Sequence, residues 1–319
     1  MYRDIQTQQK HCNLLFDDGG LGDCIGRLPA VKYCLDNHPH IFYHLWIPDY
    51  FVEFAKNCLS HYDKLTIRGF SQAKKYKEHF MARAFSRHDY NNLASHLTDN
   101  AFHVLVNKQV DLEDMNYIPL NLDKVDISKY NLPDKYVIMT TGYTATVREF
   151  YPHIINSITD YIRANGYEVV FLGKKITETG LKDNNSKAIK GNFNDKVDYS
   201  IGIDLIDKTT ILEGAKVIAN SKCIVGLDNG LLHLAGCTDT AIVGGFSSVE
   251  PKYRMPYRKN QLGWNYYPVV PPESVKCRFC QSNWTFTYNH DFKECYYKDV
   301  MCLKETTAEM YIEQLKKVL

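Results

Sequence analysis

The apolar positions of this chain fall into two alternating rhythms. Short continuous runs bounded by turn residues mark buried strands. Longer stretches with apolar residues three and four apart mark amphipathic helices. Residues 11–16 are a run of the first kind and lead into Asp17-Asp-Gly-Gly-Leu-Gly-Asp23. Ile25, Leu28, Val31, Tyr33, Cys34 and Leu35 then follow at helical spacing as far as Asn37-His-Pro39. With a second run at 41–47, the chain opens as strand, loop, helix, strand, the unit of a parallel sheet. The pattern next predicts a helix over 51–59 and strands over 64–67 and 102–106, before an acidic, irregular stretch at 111–128.

Asn131-Leu-Pro-Asp134 breaks both rhythms and reads as a linker. After it the pattern restarts. A strand over 136–140 runs into the polar turn Thr141-Gly-Tyr-Thr-Ala-Thr146. Pro152 opens a helix with Ile154, Ile155, Ile158, Tyr161 and Ile162 as its apolar stripe, and Asn165-Gly166 ends it. A strand over 168–172, a polar loop over 182–198 and a helix over 211–220 lead to Lys222-Cys-Ile-Val-Gly-Leu-Asp-Asn-Gly-Leu-Leu-His-Leu-Ala-Gly236. Here a strand stops at an Asp-Asn-Gly turn and a new helical run starts. Another strand is expected over 241–246 and a helix at the C-terminus. The expected fold is α/β, with two doubly wound domains, 1–134 and 135–319, facing each other across a cleft.

Composition narrows the class. At 319 residues two domains are the default, and 45% hydrophobic with 24% charged residues describes an ordinary soluble globular protein. A net charge of +1 does not announce a nucleic-acid binder, although local patches remain. No apolar run approaches the ~20 residues of a membrane span, and residues 1–10 are polar, so a cytoplasmic protein is expected. Ten cysteines without a secretory signal point to reduced thiols.

Four features carry candidate chemistry. The Asp228-Asn-Gly230 turn is placed like a ligand corner of an open α/β sheet, with unpaired helix N–H groups for an anion. On the plainer reading, Asp228 caps the helix and His233 packs. Gly19-Gly-Leu-Gly-Asp23 lacks dinucleotide spacing but permits close backbone approach. Its Asp23 either caps the helix or takes a proton from an attacking hydroxyl. Between 68 and 88 the chain is basic; Lys74, Lys75 and Arg83 belong either to a solvated helix face or to a site for an anionic, phosphate-bearing acceptor. Arg148, Lys174, Lys175, Lys252, Arg254, Arg258 and Lys259 follow second-half strands, where some would meet a diphosphate. Last, Cys277, Cys280, Cys295 and Cys302 fit a structural zinc site, with His290 as a substitute ligand; free thiols or a labile disulfide are the alternatives. Cys12, Cys24, Cys34, Cys58, Cys223 and Cys237 read as core. Nucleophile-elbow, HExxH and P-loop motifs are absent.

Taken in order, Gly-Leu-Gly-Asp23 with Ile25-Gly-Arg-Leu-Pro-Ala-Val31, Asp228-Asn-Gly-Leu-Leu-His-Leu-Ala235 and the C-terminal cysteines resemble the glycosyltransferase family 9 heptosyltransferases. The resemblance implies a GT-B fold of two Rossmann-like domains, the first binding the acceptor and the second a nucleotide-diphosphate sugar. It implies inversion at the sugar and no catalytic metal. Asp23 takes the position of the family's base. Gly22, Thr141, Arg148, Lys174, Glu213, Asp228, Asn229, Gly230 and His233 become the donor-binding set. Asn229 stands where the family has Thr, and the family's Lys before Trp-Pro is lost or shifted to Arg148, since Glu149-Phe-Tyr-Pro152 occupies that place. The implied acceptor is a lipopolysaccharide-type glycan. Nucleic acid or protein as acceptor, or nucleotide-sugar binding without turnover, are the competing readings.

Overall fold

The computed structural model describes residues 10–16, 20–73, 82–84, 96–106, 110–142, 146–175, 196–282, 295, 297 and 299–319. The first sheet holds β1 His11–Leu15, β2 Phe42–Ile47, β3 Leu65–Gly69 and β4 Ala82–Ala84, in the order β3-β2-β1-β4. The second contains β5 Tyr136–Met139, β6 Glu168–Phe171, β7 Ile203–Asp204, β8 Cys223–Leu227 and β9 Ala241–Gly245. A hairpin, β10 Tyr257–Arg258 with β11 Gln261–Leu262, precedes the last strand, β12 Tyr266–Val269. The order of the second sheet is β12-β9-β8-β5-β6-β7. Every described pairing in both large sheets is parallel. All residues of β5, β8 and β9 are buried, which is why they read as continuous apolar runs instead of alternating ones.

The helices are α1 Leu21–Asn37, α2 Val52–Leu59, α3 Phe70–Ala73, α4 Leu97–Leu105, α5 Pro152–Ala164, α6 Ile211–Ala219, α7 Gly230–Ala235, α8 Met301–Lys304 and α9 Ala308–Leu315. Local chemistry sets their ends. Pro152 opens α5, and Gly166, at φ +80°, follows its end. Thr210 and Glu213 close a capping box on α6. None of the described helices is long and apolar enough to cross a membrane.

One buried apolar cluster joins the two sheets. Leu14 and Leu45 of the first meet Ile138, Ile224 and Ile242 of the second through Ile25 and Leu28 of α1 and Leu232 and Leu234 of α7. A separate cluster covers the far face of the second sheet, where α5 and α9 pack.

Several expectations change. Residues 102–106 are not a strand but the end of α4. His96 caps this helix through Nδ1, which accepts from the Thr98 N–H at 3.1 Å, and Leu97, Ala101, Phe102 and Leu105 form its buried stripe. Periodicity cannot separate a short apolar run from a helix end. Of the basic stretch, Arg68 lies on β3 and Arg83 on β4, while Lys74, Lys75, Lys77 and Arg87 lie outside the described residues. Among the six cysteines read as core, Cys12 is partly exposed and five are buried; all ten are free thiols. Residues 182–195 of the polar loop lie outside the described residues.

Candidate active site

The two motifs that stand far apart in sequence meet in space. Asp23 lies in the first turn of α1, partly exposed, and its carboxylate accepts the Gly20 N–H at 2.9 Å. α7 abuts this turn. A Cβ on Gly22 would lie 2.4 Å from Cδ2 of His233, and a Cβ on Gly230 would lie 2.8 Å from Cβ of Leu21. Any side chain at either glycine would push the helices apart, so glycine here serves close approach. Tyr50, just beyond β2, is exposed, with its hydroxyl 3.8 Å from the Cys24 thiol.

Asp228 follows β8 and is buried. Its Oδ2 lies 3.5 Å from Arg148 Nη2, and its backbone carbonyl accepts from Arg148 Nη1 at 3.4 Å. Its Oδ1 lies 3.8 Å from His233 Nε2. Burial pushes the carboxyl up, but Arg148, His233 and Arg254 outweigh it and hold Asp228 well below the usual carboxylate range. The Nε of Arg148 is buried and has no hydrogen-bond partner among the described residues. Asn229, not Asp228, caps α7: its Oδ1 accepts from the N–H of Leu231 at 2.9 Å and of Leu232 at 3.4 Å, while its Nδ2 donates to Thr140. Those two helix N–H groups are therefore already bonded, contrary to the expectation that they stay open for an anion. Positive charge at this corner comes from the guanidinium of Arg148, with Arg254 adding to the field.

Among the other expected site residues, Thr141 is buried and shares a hydrogen bond with Tyr199 at 2.8 Å. Lys174 is exposed on the loop after β6. Glu213 is engaged by partners of its own. It pairs with Lys129 at 2.5 Å and accepts from Tyr130 and the Thr210 N–H, and although burial raises it, these bonds lower it to about 2. Arg258 is buried and donates to the carbonyls of Thr238 and Thr240, so it braces a turn. Lys74, Lys75 and His290 lie outside the described residues; Arg83 is placed on β4 only as backbone, paired with Leu14. The Cys302 thiol is pushed up to about 12 by burial and then by Cys280, Cys277 and Cys295. Among the described residues no group of three or more His, Cys, Asp or Glu is arranged to hold a metal ion.

Sequence reasoning passed over Tyr117, whose hydroxyl lies 2.9 Å from Nδ1 of His233. It also passed over His96, whose Nε2 bonds the Met255 carbonyl at 2.8 Å beside Arg254. Both sit in irregular chain, where periodicity gives no signal.

Residues 59–272, more than half of the chain, match the family profile of glycosyltransferase family 9 (heptosyltransferase). The chain belongs to glycosyltransferase family 9. It is thus a glycosyltransferase, with the GT-B type of α/β fold. The matched segment contains Asp228–Ala235 but begins after Asp23. None of the curated proteins matches the sequence. The fold is similar to that of TibC, a bacterial iron-containing dodecameric glycosyltransferase of enterotoxigenic E. coli H10407, at TM-score 0.73 and 14% identity, covering 98% of this chain and 76% of that one. A family 9 glycosyl transferase of Veillonella parvula DSM 2008 follows at TM-score 0.62 and 15% identity, with 97% of both chains covered. E. coli ADP-heptose lps heptosyltransferase II gives TM-score 0.58 at 12% identity, covering 96% of this chain and 98% of that one. At such identities the likeness carries the fold and nothing finer.

Proposed function

We propose that this family 9 enzyme moves a sugar, with inversion, from a nucleotide-diphosphate donor to an acceptor hydroxyl, with Asp23 as the base. The carrying observation is the meeting of the Asp23 turn with the Asp228–Gly230 turn through Gly22 and Gly230. The Asp23 carboxylate takes the proton of the acceptor hydroxyl. The oxygen attacks the anomeric carbon while its bond to the diphosphate oxygen breaks, and the nucleotide diphosphate leaves with the electron pair. Arg148, whose buried Nε lacks a partner among the described residues, and Arg254 would meet the charge of that leaving group. Arg148 would then do the work of the family's missing Lys. TibC has been solved with ADP-D-β-D-heptose, which makes an ADP-linked heptose the first donor to try. The acceptor is proposed to be a lipopolysaccharide-type glycan entering past exposed Tyr50, with residues 1–134 as its half of the molecule and 135–319 as the donor half.

Asp23→Asn should lower transfer about 10²–10⁴-fold, the usual worth of a general base, while leaving ADP affinity unchanged. Product mass spectrometry and calorimetry measure the two. Near-normal turnover in this variant would reject the base assignment.

For Cys277, Cys280, Cys295 and Cys302 we propose a structural metal. Four cysteine sulfurs are a donor set suited to zinc or iron and TibC is described as iron-containing; the four are not gathered as a metal cluster in this structure and would have to draw together round the ion. The metal would tie the segment before α8 to its neighbours, with no part in sugar transfer. Elemental analysis of the purified protein should find about one zinc or iron per chain, lost in Cys302→Ser. A metal-free, stable wild type would refute the site.

A further inference from the structure

His233 lies where the two motif turns meet, and its neighbours leave its ring one orientation. The Cδ2 edge packs against Gly22, where a Cβ would come within 2.4 Å. Nε2 faces the Asp228 carboxylate at 3.8 Å. Nδ1 lies 2.9 Å from the Tyr117 hydroxyl, and both residues are buried. Tyr117 reaches this point from the irregular chain after α4. Its own N–H donates to the Tyr257 carbonyl at 2.8 Å, and Asn116 next to it accepts from the Asn260 N–H at 2.9 Å. The phenol is therefore fixed at its backbone, and its ring stacks near the imidazole with centroids 6.1 Å apart and planes at 23°.

Donor and acceptor counting then places the protons. At 3.8 Å the approach of Nε2 to Asp228 is longer than a hydrogen bond, but a bare nitrogen there would turn its lone pair on the carboxylate, so the nitrogen facing Asp228 is the one that carries hydrogen. In the neutral ring the other nitrogen is then bare and requires a donor. The buried phenol is that donor. A buried nitrogen left without its partner costs its full desolvation, so the hydroxyl selects the tautomer as well as the rotamer.

We infer that Tyr117 is a positioning residue of the donor site: its hydroxyl donates to Nδ1 of His233 and so keeps the Nε2–H edge of that ring turned toward Asp228, against Gly22 and one residue from Asp23. The role rests on reading the Asp228 corner as the donor site.

Tyr117→Phe removes the hydroxyl and keeps the ring. In protein carrying 15N-labelled histidine, the His233 signals are assigned by their loss in His233→Gln. The wild type should show one Nε2–H tautomer at this residue, and Tyr117→Phe a mixture of tautomers. ADP affinity, measured by calorimetry on the same samples, should fall by up to about tenfold, the worth of one hydrogen bond. An Nδ1–H tautomer in the wild type, or an unchanged His233 spectrum in Tyr117→Phe, overturns the inference. A changed tautomer with unchanged ADP affinity overturns the positioning role. Absence of ADP binding by the wild type would instead sink the donor-site reading, and the tautomer spectra would still decide the hydrogen bond.

Discussion

His96 shows how much one side chain in irregular structure can carry. Its Nδ1 caps α4 and its Nε2 donates to Met255, so both nitrogens are committed in the neutral form. Burial lowers its pKa from 6.5 to about 3, with Arg254 and His233 nearby adding to the effect and the Met255 carbonyl opposing it. Below pH 6.5 the unfolded chain takes up a proton at this position and the folded chain does not. Stability is therefore complete above pH 6.5, falls as the pH drops, and stops falling near 3. The slope from this one group is at most about 1.4 kcal/mol per pH unit. His96→Asn keeps a cap for α4 and removes the titration. Urea midpoints of this variant measured from pH 7 down to pH 4 should fall less steeply than those of the wild type. Parallel slopes would mean that His96 is charged in the folded protein. Nothing in the local sequence marks this residue, because its partner Met255 is 159 positions away. Asp23 and Asp228 were legible for the opposite reason: each sits at a strand-to-helix turn whose glycines and apolar flanks are contiguous in sequence.

At the level of elements, legibility followed burial. β5, β8 and β9 are buried on both faces, so their apolar runs were unmistakable. α5 declared itself by Pro152 at its start and a stripe of isoleucines. β7 and the β10–β11 hairpin have two residues per strand, too few for any period to register. β12 was missed because it contains Pro268, which belongs on an edge strand, and β12 is the edge next to β9. The meeting of α1 with α7 was only half visible. The sequence shows two glycine-bearing turns, but their mutual contact depends on tertiary packing. The capping of α7 by Asn229 was invisible too, since Asp228 precedes it and is an equally good cap by residue type. That difference moves the proposed anion contact at this corner from helix N–H groups to guanidinium groups, a change of chemistry with no change of fold.

At the scale of the whole molecule, the linker at 131–134 invites the view of two independent lobes, and the packing argues against it. The cluster that contains Leu14 and Leu45 of the first sheet also contains Ile224 and Ile242 of the second. Hydrogen bonds cross the same boundary: His96 to Met255, the Tyr117 N–H to the Tyr257 carbonyl, and the Leu120 N–H to the Cys237 carbonyl. Separating the lobes would expose α1 and α7 apolar surface at about 25 cal/mol per Å² and strand those polar groups. Unfolding one lobe therefore destabilises the other, the condition for a single cooperative transition even in a chain this long. Trp46 reports on the first sheet and Trp264 on the turn before β12. In urea, fluorescence from variants whose single tryptophan is Trp46 or Trp264, with Trp284 also replaced, should give coincident midpoints, matching that of far-ultraviolet circular dichroism. Two separated midpoints would mean that the lobes fold as independent units and that the shared cluster contributes little. Coincidence would also imply that a donor held at the Asp228 corner stabilises the Asp23 half, since a ligand that binds only the folded state stabilises everything coupled to its site.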